Sequence, residues 1–206
     1  MAPATEPLGP AGGQILAQVA ALWPWEALAV VLAIAYLLLA IRQNIWCWAA
    51  GIASTLIYLL LFFRAALYSE AVLQLFYIGV SVYGWLHWAR PARPLPVTRW
   101  PLRRQGQALL LVLVLGLANG ALLAAWTPAA LPYADALVAW ASVLATWMVA
   151  RKLLENWLWW FVIDSASMWI YAQRGLWLTV LLFGLYLLLI LRGYRAWRRD
   201  LVAQPA

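Results

Sequence analysis

The chain is short of charge, of cysteine and of histidine. Only 10% of its 206 residues are charged, whereas 67% are hydrophobic. A soluble domain is about a quarter charged and about half apolar. A soluble fold of this length could not hide so much apolar surface, but a lipid bilayer could. The shortage of charge therefore argues against soluble enzymes, nucleic-acid modules and disordered tails. The single cysteine, Cys47, allows no intrachain disulfide and no thiolate metal cluster. The single histidine, His87, has no second ligand beside it. No P-loop, Gly-rich dinucleotide fingerprint or Ser/His/Asp set can be read. Neither catalytic residues nor a cofactor or metal are expected. The alternation of a membrane strand is also missing, since the apolar runs are apolar all round.

What is present is a series of long apolar runs. A spanning helix needs about 20 mostly apolar residues, and seven segments qualify: 24–42, 44–63, 67–89, 106–127, 132–151, 155–173 and 176–197. Breakers and charge separate them. Arg42-Gln43, Arg64-Ala65-Ala66, the proline-rich stretch 90–96, Thr127-Pro128 with Leu131-Pro132, and Arg174-Gly175 mark the gaps. The expectation is an all-α integral membrane protein of seven helices. The first 21 residues lack a basic n-region, and Pro3, Glu6, Pro7 and Pro10 interrupt any apolar core. They read as a retained, disordered tail and not as a signal peptide.

Net charge is +7, and its distribution is one-sided. Twelve basic residues follow the odd helices: Arg42, five between Arg90 and Arg104, Arg151 and Lys152, and four between Arg192 and Arg199. Only Arg64 and Arg174 follow the even ones. The positive-inside rule then places the N-terminus outside and the C-terminus in the cytoplasm. Anionic lipid head groups would hold the same arginines on the same side.

The two ends of the chain repeat each other. Asn44 and Trp48 match Asn156 and Trp160 at an offset of 112, as does Thr55 with Ser167. Leu67-Tyr68, Tyr77, Gly84 and Trp88 match Leu176-Trp177, Tyr186, Gly193 and Trp197 at an offset of 109. The three-residue change falls at the turn near Arg64, where a deletion costs little. The expected organisation is a tail at 1–23, a three-helix unit at 24–89, a basic loop and linker helix at 90–131, a second three-helix unit at 132–197, and a tail at 198–206. Three is odd, so one extra crossing lets both units keep one orientation, a 3+1+3 parallel repeat. Such repeat interfaces commonly hold a transported solute near mid-membrane.

Polar residues at mid-depth are the candidates for a site. Asp164 has no basic residue within nine positions, and a carboxylate at the bilayer centre costs about 2.5–3.5 kcal/mol. It reads as an attractor for a cationic substrate or a proton acceptor; a structural bond to a neighbouring helix is the alternative. Trp160 lies four residues earlier and shares its face, which suits a flat cationic ring. Trp48 is its partner in the 112 offset. Gln74 and Tyr77 share a face of the third segment, and Tyr186 is the repeat partner of Tyr77. These suit a neutral polar solute such as a ribose, or equally bonds between helices. Asn44 and Asn156 begin their segments, either polarising a cavity or serving as N-caps.

The motifs Asn44-x-Trp46-x-Trp48-x-x-Gly51, Phe63-x-x-x-Leu67-Tyr68, Leu73-Gln74-x-x-Tyr77 and Tyr83-Gly84-Trp85-x-x-Trp88 resemble the first half of the Pnu vitamin transporters. Asp164, Trp169, Tyr171, Leu176, Tyr186 and Gly193-x-x-x-Trp197 resemble the second half. The likeness covers about residues 24–197 and is strongest to the branch that carries nicotinamide riboside. It implies a seven-helix, SWEET-like fold and facilitated diffusion of nicotinamide riboside across a bacterial inner membrane. Trapping by cytoplasmic phosphorylation and a homotrimer are implied as well, with no nucleic-acid partner. It places the site between the two units, at Asn44, Trp48, Gln74, Tyr77, Asn156, Trp160, Asp164 and Tyr186. Thiamine and riboflavin carriers belong to the same family, and a proton-coupled carrier using Asp164 is a further alternative.

Overall fold

The structure, a computed structural model, describes residues 10–64, 68–89, 95–127, 131–173 and 177–203. Among them are seven helices: α1 (Pro10–Ile41), α2 (Trp46–Arg64), α3 (Tyr68–Trp88), α4 (Leu102–Trp126), α5 (Pro132–Ala150), α6 (Asn156–Gln173) and α7 (Trp177–Ala203). Each falls on one of the seven apolar segments. Five contain a stretch long and apolar enough to cross a bilayer: Pro24–Ile41, α2, α4, α5 and Thr179–Ala203. The remaining two, α3 and α6, carry Gln74, Asn156 and Asp164. The polar candidates themselves dilute the apolar signal there.

The N-terminal expectation is corrected in part. Residues 10–21 were expected to be disordered, yet α1 starts at Pro10. Proline suits the first helical position, where its missing N–H has no partner to lose. Pro24 lies inside α1. The expected tail at 1–9 lies outside the described residues. At the other end α7 continues to Ala203, past the expected end at 197, so the arginines of 192–199 stand on its final turns.

Helix packing follows a reciprocal plan. α1 packs on α2 and α2 on α3, as α5 packs on α6 and α6 on α7. Between the groups α3 packs on α5 and α7 on α1, while α4 packs on α5. α4 approaches closely because Gly116 and Gly120 present no side chain. A Cβ there would stand 2.5 Å from Leu137 and 2.6 Å from Tyr133.

Several features of α1–α3 recur in α5–α7 at positions 109 residues later. α1 and α5 end alike. Gln43 and Lys152 take the left-handed conformation, with φ of 52° and 51°. The N–H of Asn44 bonds the carbonyl of Leu39 at 2.9 Å, and that of Leu153 bonds Met148 at 3.0 Å. These are Schellman ends built on residues other than glycine. In the next helix Trp48 and Trp157 are both fully buried. Trp48 stands where a Cβ on Gly84 would lie 2.4 Å away, and Trp157 stands likewise against Gly193, at 2.4 Å. Trp48 meets Trp88 edge-on at 5.3 Å, and Trp157 meets Trp197 edge-on at 5.4 Å. The counterpart of Trp48 is therefore Trp157, not Trp160, and Asn44 corresponds to Leu153, not Asn156. The 112 offset is corrected. It arose because Trp157, Trp159 and Trp160 stand together and Asn156 precedes them, so a shifted register also matched.

The four tryptophans join the two groups at one end. Trp88 donates its indole N–H to the carbonyl of Ala150 at 3.0 Å, and Trp197 donates to Ala40 at 3.1 Å. Lys152 donates to Gln43 at 2.9 Å and lies 4.6 Å over the ring of Trp88. Gln43 in turn donates to Asp200. Burial pulls the Lys152 ammonium below the usual lysine range, with Cys47 and Asp200 acting in the opposite direction. The loop before α4 is fixed to this end too. Thr98 pairs with the backbone of Lys152 and Leu154, and Glu155 accepts from Arg99 and from the N–H of Trp100, both at 3.2 Å. Arg42, Arg99, Arg151, Lys152 and the arginines of α7 all belong to this end.

Candidate functional site

A cavity of about 210 Å³ lies where α1 meets α6 and α7. Its floor is Ala40, Val149, Trp157 and Ile190, beside the tryptophan cluster. Its walls carry Tyr36, Trp160, Asp164, Phe183 and Tyr186. Trp160 and Asp164 project together because they are one helical turn apart. Asp164 is buried, at 5% exposure. None of the described residues lining the cavity is basic, so its polar end is a carboxylate set among aromatic rings. Drug-sized ligands occupy pockets of about 300–1,000 Å³, so a nucleoside requires the two groups of helices to part beyond the arrangement seen here.

The walls are asymmetric in an informative way. In the first group the ring at this level is Tyr36 on α1, and Gly51 on α2 makes room for it. A Cβ at Gly51 would lie 3.1 Å from the Tyr36 ring. In the second group the equivalent positions are Ala145 and Trp160, so the small residue sits on α5 and the large ring on α6. Trp160 packs beside the buried Ala145. The position equivalent to Asp164 is Thr55, whose hydroxyl is absorbed by the carbonyl of Gly51 at 2.7 Å. The carboxylate belongs to one side only.

Of the eight residues expected in the site, Trp160, Asp164 and Tyr186 line the cavity. Gln74 and Tyr77 do not. They stand on α3, 109 residues before Phe183 and Tyr186, and the Tyr77 hydroxyl has Ser142 of α5 as its polar neighbour. Trp48 is enclosed between Gly84, Tyr36 and Trp88 and does not line the cavity. Asn44 is exposed and caps α2, accepting from the N–H of Trp46 at 2.9 Å. Asn156 is buried and donates back to the carbonyl of Leu153. Tyr36, Trp157 and Phe183 were missed. Trp157 would have been found from a constant 109 offset. Tyr36 is the one residue able to donate a side-chain hydrogen bond between Ala27 and Ile41, and that was its signal. Among the described residues no three His, Cys, Asp or Glu side chains gather as a metal site would need.

A helical membrane protein with a ring-lined, acid-bearing cavity between packed helix groups has the architecture of a solute carrier. A family model described as nicotinamide mononucleotide transporter matches residues 23–199, and the chain belongs to that family. It is 24% identical over 200 residues to the nicotinamide riboside transporter PnuC of Escherichia coli strain K12, covering 84% of each chain. It is 26% identical over 180 residues to the riboflavin/roseoflavin transporter RibM of Streptomyces davaonensis, covering 82% of this chain and 84% of that one. Among solved structures it is similar to the vitamin B3 transporter PnuC. The TM-score is 0.71 at 19% identity, covering 88% of this chain and 83% of the other. The likeness to that structure shows the fold. The chain is therefore a multi-pass membrane protein of a transporter family.

Proposed function

We propose that this protein carries nicotinamide riboside across a bacterial inner membrane by facilitated diffusion, the product being trapped by phosphorylation in the cytoplasm. The observation that carries the reading is the cavity wall itself. Trp160 offers a ring face to a pyridinium, and Asp164 offers negative charge with no basic neighbour among the lining residues. Tyr186 supplies a phenol for the ribose or carboxamide. The same features disfavour nicotinamide mononucleotide, whose phosphate would meet a carboxylate and no cation. A proton-coupled cycle through Asp164 is the rival, and uptake that follows a pH gradient at zero membrane potential would favour it.

The transport cycle rests on a 3+1+3, SWEET-like repeat of α1–α3 and α5–α7 linked by α4. The constant 109 offset, the paired αL ends and the reciprocal packing of α3 on α5 and α7 on α1 support it. In this cycle the groups rock about the cavity. The paired indole bonds from Trp88 and Trp197 close the basic end, which is the cytoplasmic end under the positive-inside rule. Gln74 and Tyr77 then enter the site when α3 and α5 separate, in the way Phe183 and Tyr186 line it now. Trp48 is reassigned to the closing cluster, and Asn44 and Asn156 to helix starts. The N-terminus is outside and the C-terminus cytoplasmic, and the protein assembles as a homotrimer.

RibM favours a second reading, a riboflavin carrier. An uncharged flavin ring would gain no charge attraction from Asp164, which separates the two. The test is calorimetry in detergent. Asp164→Asn is expected to weaken nicotinamide riboside binding by about 10–100-fold, the range of a charge-assisted contact, and Gln74→Ala to weaken it by less. Melting temperatures should stay unchanged. Unchanged affinity in Asp164→Asn would remove the carboxylate from the site.

A further inference from the structure

The tyrosine on α1 is a polar residue of the cavity with no role in the transport proposed for nicotinamide riboside. Tyr36 lines the cavity opposite the α6 residues. Its ring is fixed from two sides. It meets Trp48 edge-on at 6.0 Å and 62°, and it fills the space that Gly51 leaves open. Yet its hydroxyl is buried with no hydrogen-bond partner among the described residues. Leaving a buried hydroxyl unpaired is destabilising, and most buried polar groups in folded proteins find a partner. Tyr77, on the α3–α5 interface, differs in having Ser142 as a polar partner for its hydroxyl. Packing alone would be served as well by phenylalanine at position 36.

We propose that Tyr36 is a specificity-determining residue that donates its hydroxyl hydrogen to a neutral acceptor oxygen of the substrate. The proposal rests on the nucleoside reading of the same cavity. Asp164 attracts the positive ring, but charge does not distinguish one flat cation from another. A fixed donor on the opposite wall does, because a ligand lacking an acceptor there leaves the hydroxyl unpaired. The carboxamide carbonyl and the ribose oxygens are the two kinds of acceptor that nicotinamide riboside offers.

The test is Tyr36→Phe in the full-length protein, with calorimetry and thermal unfolding in detergent. The probes are nicotinamide riboside, the pyridine riboside that lacks the carboxamide, and N-methylnicotinamide, which lacks the ribose. The variant should bind nicotinamide riboside about three- to tenfold more weakly, the worth of one neutral hydrogen bond. On one truncated probe the difference between wild type and variant should vanish, and that probe identifies the acceptor. The ligand-free variant should melt at the same temperature or higher, since no bond is lost; a purely structural tyrosine would give a lower one. Equal affinity of wild type and Tyr36→Phe for nicotinamide riboside would overturn the proposal, as would an equal loss on all three probes. If Asp164→Asn still weakens binding in that case, the site stands and only Tyr36 leaves it. If neither substitution matters, the cavity is not the binding site.

Discussion

Replacing Gly193 by alanine adds one methyl group where the structure has no space. The new Cβ would lie 2.4 Å from Cη2 of Trp157, whereas carbon atoms rest about 3.5–4.0 Å apart. The overlap exceeds an ångström. Trp157 cannot swing away freely, because it is fully buried and held edge-on by Trp197 at 5.4 Å. Overpacking of this kind costs about 1–3 kcal/mol. The Gly-to-Ala change in a helix returns about 0.5–1 kcal/mol. The net loss is up to roughly 2.5 kcal/mol, or a drop of up to about 10 °C in melting temperature for a chain of this size. Gly84→Ala faces the same overlap, with Cζ2 of Trp48 at 2.4 Å. It should lower the melting temperature by a matching amount. Gly79→Ala is the control, because no described atom lies within 4 Å of its added Cβ, and its melting temperature should stay or rise. Differential scanning fluorimetry of the three purified variants makes the comparison. A drop at Gly84 with none at Gly193 would refute the equivalence of the two groups of helices.

Two further outcomes follow from the basic end. Trp88→Phe and Trp197→Phe each leave a carbonyl, of Ala150 or Ala40, without its indole partner. Either should loosen the contact between the groups and raise the rate at which a permeant maleimide labels Cys47, which is buried there and is the one cysteine of the chain; an unchanged rate would show that the indoles do not hold this end closed. Lys152, depressed by burial, binds its proton less readily folded than unfolded. Between its lowered folded value and the unfolded value near 10.5 the unfolded state therefore carries more protons, and stability rises with pH across that window. The melting temperature of wild type relative to Lys152→Met should climb as pH is raised towards 10, and a constant difference would contradict the assignment.

The seven helices were legible because apolar runs of spanning length admit few other structures, and the breakers at 90–96 and 127–132 are unambiguous. The start of α1 was not legible, because Pro10 reads as a breaker until it is seen to occupy a first-turn position. The 109-residue spacing was legible in its second part, where Tyr77, Gly84 and Trp88 meet identical residues at that distance. It was misread in its first part because indoles are dense at 157–160. Only packing tells which one fills a glycine gap: Trp157 does so and Trp160 does not. Asp164 and Trp160 could be found from one helical turn and the cost of a buried charge. Tyr36 could not be placed with them, since nothing in the chain order says that α1 faces α6 and α7. Gln74 and Tyr77 were placed in one pocket with Tyr186, whereas the two interfaces α3–α5 and α1–α7 hold them apart.

In the proposed transport the cavity beside Asp164 accepts a flat cationic nucleoside and not its phosphorylated form. A calorimetric panel of nicotinamide riboside, thiamine, riboflavin and nicotinamide mononucleotide on the purified protein tests it most directly. Saturable binding of nicotinamide riboside is expected, with weaker binding or none for thiamine and riboflavin and none for the mononucleotide. Binding of the mononucleotide as tight as that of the riboside, or tighter, would contradict it.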